Sequence, residues 1–229
     1  MRYIITIQTS PNDLGLTTPD KISLLDADIT NVCIIGYNET DNTIMFYQNS
    51  GTDEKLATLL IKLLDKPDAE IATWNGHGFL LPLLELKMLK YMIPCFHIID
   101  SHSNARRWTN FHSRYSWSHL DLCALMSNFG ASHKESLENV SKALNLPDTI
   151  PYDLENNTPE LTRDRCVINT LNLFILYLKR LYVGQQIDLI VYKEVLTKLL
   201  NYPTIRGISE NINNALLKIG VTNELSSGD

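Results

Sequence analysis

The sequence predicts an α/β fold: a mixed β-sheet flanked by helices, with a helical C-terminal extension. Three patterns carry that expectation. Short apolar runs bounded by turn residues fill the first part of the chain, strand and helix patterns alternate through its middle, and its last third is helical. With 229 residues, no internal repeat and no linker, one sizeable core is expected. Residues 1–185 form the main domain in this reading, and residues 186–229 a helical extension packed on it.

Tyr3–Ile7 is a compact apolar strand ended by "TSPND". Asn31–Tyr37 ("NVCIIGY") and Ile44–Tyr47 ("IMFY") form a hairpin across the polar separator "NETDN". From Thr52 to Leu64, leucines 56, 59, 60, 63 and 64 make one helical stripe, with acids in the first turn where the helix dipole favours them. Ile71–Trp74 reads as a short buried strand, Phe79–Tyr91 as a helix, and Phe96–Asp100 as a further strand. Ser132-His133-Lys134-Glu135 has the form of a capping box opening a helix through Leu144. A long helix begins at Pro159 and ends at Gly184 as a C′ glycine, and two more cover 189–200 and 209–219.

Composition excludes several classes of protein. No stretch reaches the roughly 18 uncharged apolar residues of a membrane span, and the N-terminus lacks a secretory pattern, so an intracellular, cytoplasmic chain without a membrane is expected. Cys33, Cys95, Cys123 and Cys166 are scattered without a C-x-x-C pair, which points to buried free thiols rather than zinc or disulfides. The net charge of −6 disfavours general attraction to a phosphate backbone but permits a local basic groove.

Three stretches carry a more specific signal: "IITIQTSPN" at the start, "NGHGFLLPLLELKML" in the middle and "RCVINTLNLFILYLK" towards the end. Together they resemble the three motifs of the ribonuclease H-like 3′–5′ exonucleases with four acidic residues, the DEDD group. The best match is the predicted exonuclease family related to the proofreading domain of family B DNA polymerases. Between the last two motifs, "RYSWSHLDLCALMSNFGASHKESLENVSKALNLP" follows the same family's pattern, and the resemblance spans roughly residues 3–185.

The resemblance implies a two-metal mechanism, in which paired Mg²⁺ or Mn²⁺ ions held by carboxylates stabilise the attacking and leaving oxygens. In this chain the four acid positions fall on Thr6, Gln8, Leu80 and Asn169, and the position of the water-orienting Tyr or His on Arg165. All five are replaced, so no cofactor and no metal ligands are expected. Asp13, Asp100, Asp153 and Asp164 lie near the motifs in sequence but out of register with them, while Asp121 matches a non-catalytic family position that lines the cleft in this reading.

Candidate nucleic-acid contacts remain. Asn75, His77 and Phe79 belong to the loop that lies beside the scissile nucleotide in the family, though the glycines of that loop also have a purely structural reading as a strand-to-helix turn. In "RRWTNFHSRYSWSH", Arg106, Arg107 and Arg114 are placed to meet phosphates, and Trp108, Phe111, Tyr115 and Trp117 to stack on bases. The alternative is that this segment packs as a loop with solvated arginines. The function expected is that of a non-cleaving exonuclease homologue that binds single-stranded DNA or RNA or a protein partner; the alternative is an active 3′–5′ exonuclease with a remodelled site.

Overall fold

The computed structural model describes residues 1–11, 24, 27–66, 68–95, 98, 111–113, 116–150, 158–202 and 205. Its centre is β1 (Arg2–Pro11), which the period-2 alternation of a strand makes apolar on both faces: Ile4 packs into one hydrophobic cluster and Ile5 into the other. β1 pairs antiparallel with β2 (Ala27–Asn38), and β2 pairs antiparallel with β3 (Thr43–Ser50). On its other side β1 runs parallel to β4 (Glu70–Thr73), which runs parallel to β5 (His119–Asp121). The sheet order is β3-β2-β1-β4-β5.

One face is covered by α1 (Asp53–Leu64) and α2 (Leu81–Tyr91), whose buried leucines meet Ile5, Val32, Ile34 and Ile71. The buried Lys87 of α2 pins that layer, reaching Asp53 at 2.6 Å and Asp28 at 3.0 Å. Two short helices, α3 (Leu122–Met126) and α4 (Leu137–Ala143), follow β5. The opposite face carries α5 (Pro159–Val183). This helix has the length and hydropathy of a membrane span, but its side chains are mostly buried against the sheet and α6 (Leu189–Leu200), with Phe174, Leu178, Val195 and Leu196 in one cluster.

Several elements depart from the sequence-based expectation. The helix expected from Ser132 is capped four residues later, where the Ser136 hydroxyl accepts from the Asn139 N–H at 3.0 Å, directly before the first apolar residue, Leu137. Gly184 is the C-cap of α5 with φ −76, and Gln185 is the left-handed residue at φ 56. The bonds from Gln186 N–H to Leu181 O and from Gln185 N–H to Tyr182 O complete a Schellman closure around a non-glycine residue. The fifth strand is His119–Asp121. The strand expected at 96–100 lies outside the described residues apart from Ile98, which is buried, and the helix expected at 209–219 lies wholly outside them.

Candidate functional site

β1, the turn after β4 and the first half of α5 converge because the parallel β1–β4 pairing sets their ends side by side, with α5 across the same end of the sheet. There Thr6, Leu80 and Asn169 line a single cavity of about 160 Å³, with Trp74, Phe79 and Leu137. Three residues distant in sequence are thus brought together. Gln8 is two residues farther along β1, on the Thr6 face by alternation, beside a register shift between Gln8 and Thr9, and it does not line the cavity.

Three of these positions, Thr6, Leu80 and Arg165, make contacts within the protein. The Thr6 hydroxyl donates to the Cys166 carbonyl of α5 at 3.0 Å and touches the Thr170 hydroxyl, tying the sheet to the helix. Cys166 is buried, which pushes its thiol up to about 12, so it stays protonated at the Thr6 carbonyl. Leu80 is 5% exposed and belongs to the core cluster under α1 and α2. Arg165 is buried and its Nε donates to the Ile150 carbonyl at 3.0 Å. Asp164, an acid that falls near the third motif, pairs with Arg163 at 3.0 Å; Asp13, Asp100 and Asp153 lie outside the described residues.

The loop entering α2 is built around Asp121. Asn75 takes the left-handed conformation at φ 56, which Asn tolerates better than most residues. Residues Gly76–Leu80 then form a π-helical turn, closed by the Leu81 N–H donating to Gly76 O. Helical backbone therefore begins at Gly76 rather than at Phe79. The two glycines are required by close approach: a Cβ at Gly76 would overlap Thr73 Oγ1 and lie 2.7 Å from His119 Nε2, and one at Gly78 would lie 2.5 Å from Asn75 Oδ1.

Asp121, expected to line the cleft, instead turns inward beneath this loop. Its Oδ1 accepts from the backbone N–H groups of Asn75 (3.0 Å) and Ala124 (3.2 Å). Its Oδ2 accepts from the His77 N–H (2.9 Å) and meets His77 Nδ1 (3.1 Å). Burial opposes its ionisation, but the hydrogen bonds from His77 and Ala124 prevail and hold the carboxyl below the usual carboxylate range. His119 lies under the His77 ring, with centroids 4.3 Å apart. Its Nδ1 faces the Phe111 carbonyl (2.8 Å), so Nδ1 carries the proton and Nε2 accepts from the Thr73 hydroxyl (2.8 Å). Burial, with nearby His77, brings its pKa down to about 4.

His77, His119 and Asp121 have donor atoms within 4.8 Å of one another and are the set among the described residues nearest to a metal-ligand arrangement. Only His77 Nε2 lacks a partner there; the lone pairs of His119 and Asp121 are already engaged, so the trio is a hydrogen-bonded hub. The cavity above it offers Thr6, Thr73 and Asn169 as neutral oxygen donors and no charged side chain among its described lining residues. That donor set does not fit two divalent cations, which require anionic oxygens.

Of the proposed nucleic-acid contacts, Phe79 lines the cavity, Asn75 sits in its approach turn, and His77 is turned towards Asp121. Arg106, Arg107, Trp108, Arg114 and Tyr115 lie outside the described residues. Phe111, a candidate for base stacking, is in the core, whereas Trp117 is 74% exposed. The structural importance of His119 and Asp121 as a pair escaped sequence reasoning, because Asp121 accepts from backbone groups of a loop more than 40 positions away and His119 meets the Thr73 hydroxyl, 46 positions away, and the Phe111 carbonyl.

A mixed sheet flanked by helices, with three motif segments meeting at one end of it, defines the class of exonuclease-like α/β domains. Residues 27–210 match a family described as predicted 3′–5′ exonucleases related to the exonuclease domain of PolB, and the chain belongs to that family. The match begins after β1, so the first motif precedes it. Among solved structures, a family B DNA polymerase from the hyperthermophilic archaeon Pyrobaculum calidifontis is similar over 77% of this chain and 25% of its own, with 16% identity and a TM-score of 0.46. The chain therefore spans about a quarter of that polymerase. No curated protein matches the sequence significantly.

Proposed function

We propose that this chain is a non-cleaving member of its exonuclease family that holds single-stranded nucleic-acid ends in the remaining cleft. The observation that supports it is the convergence of Thr6, Leu80 and Asn169 on one cavity lined by no carboxylate among the described residues. Loss of four negative charges removes the ligands that two Mg²⁺ or Mn²⁺ ions would need, and with them the repulsion that carboxylates exert on an incoming phosphate. Trp74 and Phe79 at the cavity wall supply aromatic faces for an unpaired base.

The test has two arms. Labelled single-stranded DNA and RNA are incubated with the chain and Mg²⁺ or Mn²⁺; the expected result is no shortening, and shortening would establish an active exonuclease with a remodelled site. Fluorescence anisotropy at low salt is expected to give roughly micromolar affinity that falls as salt rises. Binding is expected to weaken in Trp74→Ala and in Arg106→Ala/Trp108→Ala. Flat anisotropy at low salt would eliminate nucleic acid and leave a protein-interaction role.

A further inference from the structure

A second surface, on the opposite face of the sheet from the α5 layer, has its own chemistry. α1 covers the sheet with Leu56, Leu60, Ile61 and Leu64, but its neighbouring stripe, Leu59 and Leu63, is only half buried. Those two leucines form one wall of a trough whose floor and far wall are Ile34, Met45 and Tyr47 from β2 and the edge strand β3. Met45 and Tyr47 are exposed although both point to an apolar surface. Gly36 keeps the floor low: a Cβ there would lie 3.2 Å from Met1 Sδ and 3.4 Å from Met45 Cε. The trough has a volume of about 570 Å³.

Its rim is strongly one-sided in charge. Lys55, Lys62 and Lys66 line it from α1 and the turn that follows, all exposed, and none is paired with a carboxylate among the described residues. Lys66 lies over the Tyr3 ring at 5.8 Å, at the mouth of the trough. Elsewhere, lysines 87, 90, 142 and 198 are each matched to an acid. In a chain of net charge −6, three cations without a carboxylate partner among the described residues, along one edge of an apolar channel, form a local reversal of field. They run over about 16 Å at the helical rise, roughly three turns.

From this we infer that the trough between α1 and β3 receives an acidic amphipathic helix of a partner protein. Its apolar face enters between Leu59, Leu63 and Met45, and its carboxylates face Lys55, Lys62 and Lys66. An open channel flanked by a helix and a strand accepts the apolar stripe of a helix laid along it, and the charges fix its orientation and speed its arrival. This surface is separate from the cleft, and the inference holds whether or not the cleft binds nucleic acid.

The test uses the full chain and a fluorescein-labelled 15-residue peptide with leucines at helical spacing and glutamates beside them. A second peptide has the same composition permuted so that leucines surround the helix. The first is expected to bind with at least tenfold higher affinity than the second, and to protect α1 and β3 from hydrogen exchange. Lys55→Glu/Lys62→Glu/Lys66→Glu and, separately, Met45→Asp are each expected to weaken it at least tenfold; all four positions are exposed, and thermal melts check that the variants stay folded. Equal binding of both peptides, no loss on charge reversal, or protection elsewhere overturns the inference. So does displacement of the peptide by sodium dodecanoate at equal concentration, which would make the trough a site for small anionic amphiphiles.

Discussion

Leu80→Asp places a carboxylate at the position that the motif resemblance assigns to a metal ligand, and the structure sets its cost. Leu80 is 5% exposed and packs in the cluster that holds Ile5, Leu81 and Leu84. Losing the buried side chain costs about 2 kcal/mol of apolar transfer, and placing a carboxyl there without a partner adds about 2 kcal/mol. A loss near 4 kcal/mol is survivable for a domain of ordinary stability, about 5–15 kcal/mol, and is measured by urea unfolding. Desolvation raises the pKa of the introduced acid in the folded chain, so its ionisation penalty is full above that raised value, shrinks as the pH falls from there, and is gone below the unfolded value of about 4. Adding Thr6→Asp, Gln8→Glu and Asn169→Asp should make folding depend on Mg²⁺ or Mn²⁺, with about 2.7 kcal/mol gained at a hundredfold excess of ion over Kd. If the fourfold variant folds without metal and its melting temperature ignores both ions, the assignment of these four positions is wrong.

Other features of the structure can be tested in the same way. Gly76→Ala should destabilise the chain by about 2 kcal/mol through overpacking, since its methyl group would overlap Thr73 Oγ1; an unchanged urea midpoint would show that the loop can move. Asp121→Asn leaves one acceptor oxygen where two now serve Asn75, His77 and Ala124, so a loss of about 3 kcal/mol and faster hydrogen exchange at those amides are expected. His119, held near pKa 4, disfavours protonation of the folded state. Stability is therefore full above about pH 6.5 and declines by up to about 3 kcal/mol as the pH falls towards 4, and His119→Gln should flatten that decline. Burial alone would raise the Asp53 pKa, but bonds from Lys87, Tyr91 and the Ile29 N–H outweigh it and hold the carboxyl at about 2. Lys87→Met should cost about 2 kcal/mol at neutral pH, less than a fully orphaned buried charge because Lys90 and Tyr91 remain. The difference from the parent chain should shrink as the pH falls from about 4 towards 2; a constant difference would show that packing, not charge, is lost.

Four of the five strands, and the helices α1, α2, α5 and α6, were legible because each repeats an apolar period over enough residues. β5 was not, since His119-Leu120-Asp121 is three residues long and two are polar; its strand identity comes from pairing with β4. The start of α4 was misplaced because Ser132 and Glu135 satisfy a capping pattern locally, whereas the apolar period begins only at Leu137, directly after Ser136. Thr6, Leu80 and Asn169 could be grouped from the motif resemblance, and the fold places them on one cavity. The Asp121 hub was hidden for a different reason. A buried carboxylate that accepts backbone N–H groups from a distant turn leaves no periodic or spacing signal in the sequence.

The residues that the motif resemblance aligns with the family's acids are accommodated by the fold without metal ions. Inward-facing carboxylates without cations would repel one another in a partly desolvated site, so a metal-binding cleft is costly whenever its ions are absent. Here the Thr6 hydroxyl is satisfied by the Cys166 carbonyl, Leu80 extends the core, and the Arg165 guanidinium is anchored at the Ile150 carbonyl. These three side chains find their partners inside the protein. An acid at Leu80 alone places a charge in the core with no metal to match it, whereas Thr6, Gln8 and Asn169 are only partly buried, and four acids together would repel one another unless divalent cations relieved them. Leu80 is therefore the position at which a single acid should cost the most stability, which is what the Leu80→Asp measurement would detect.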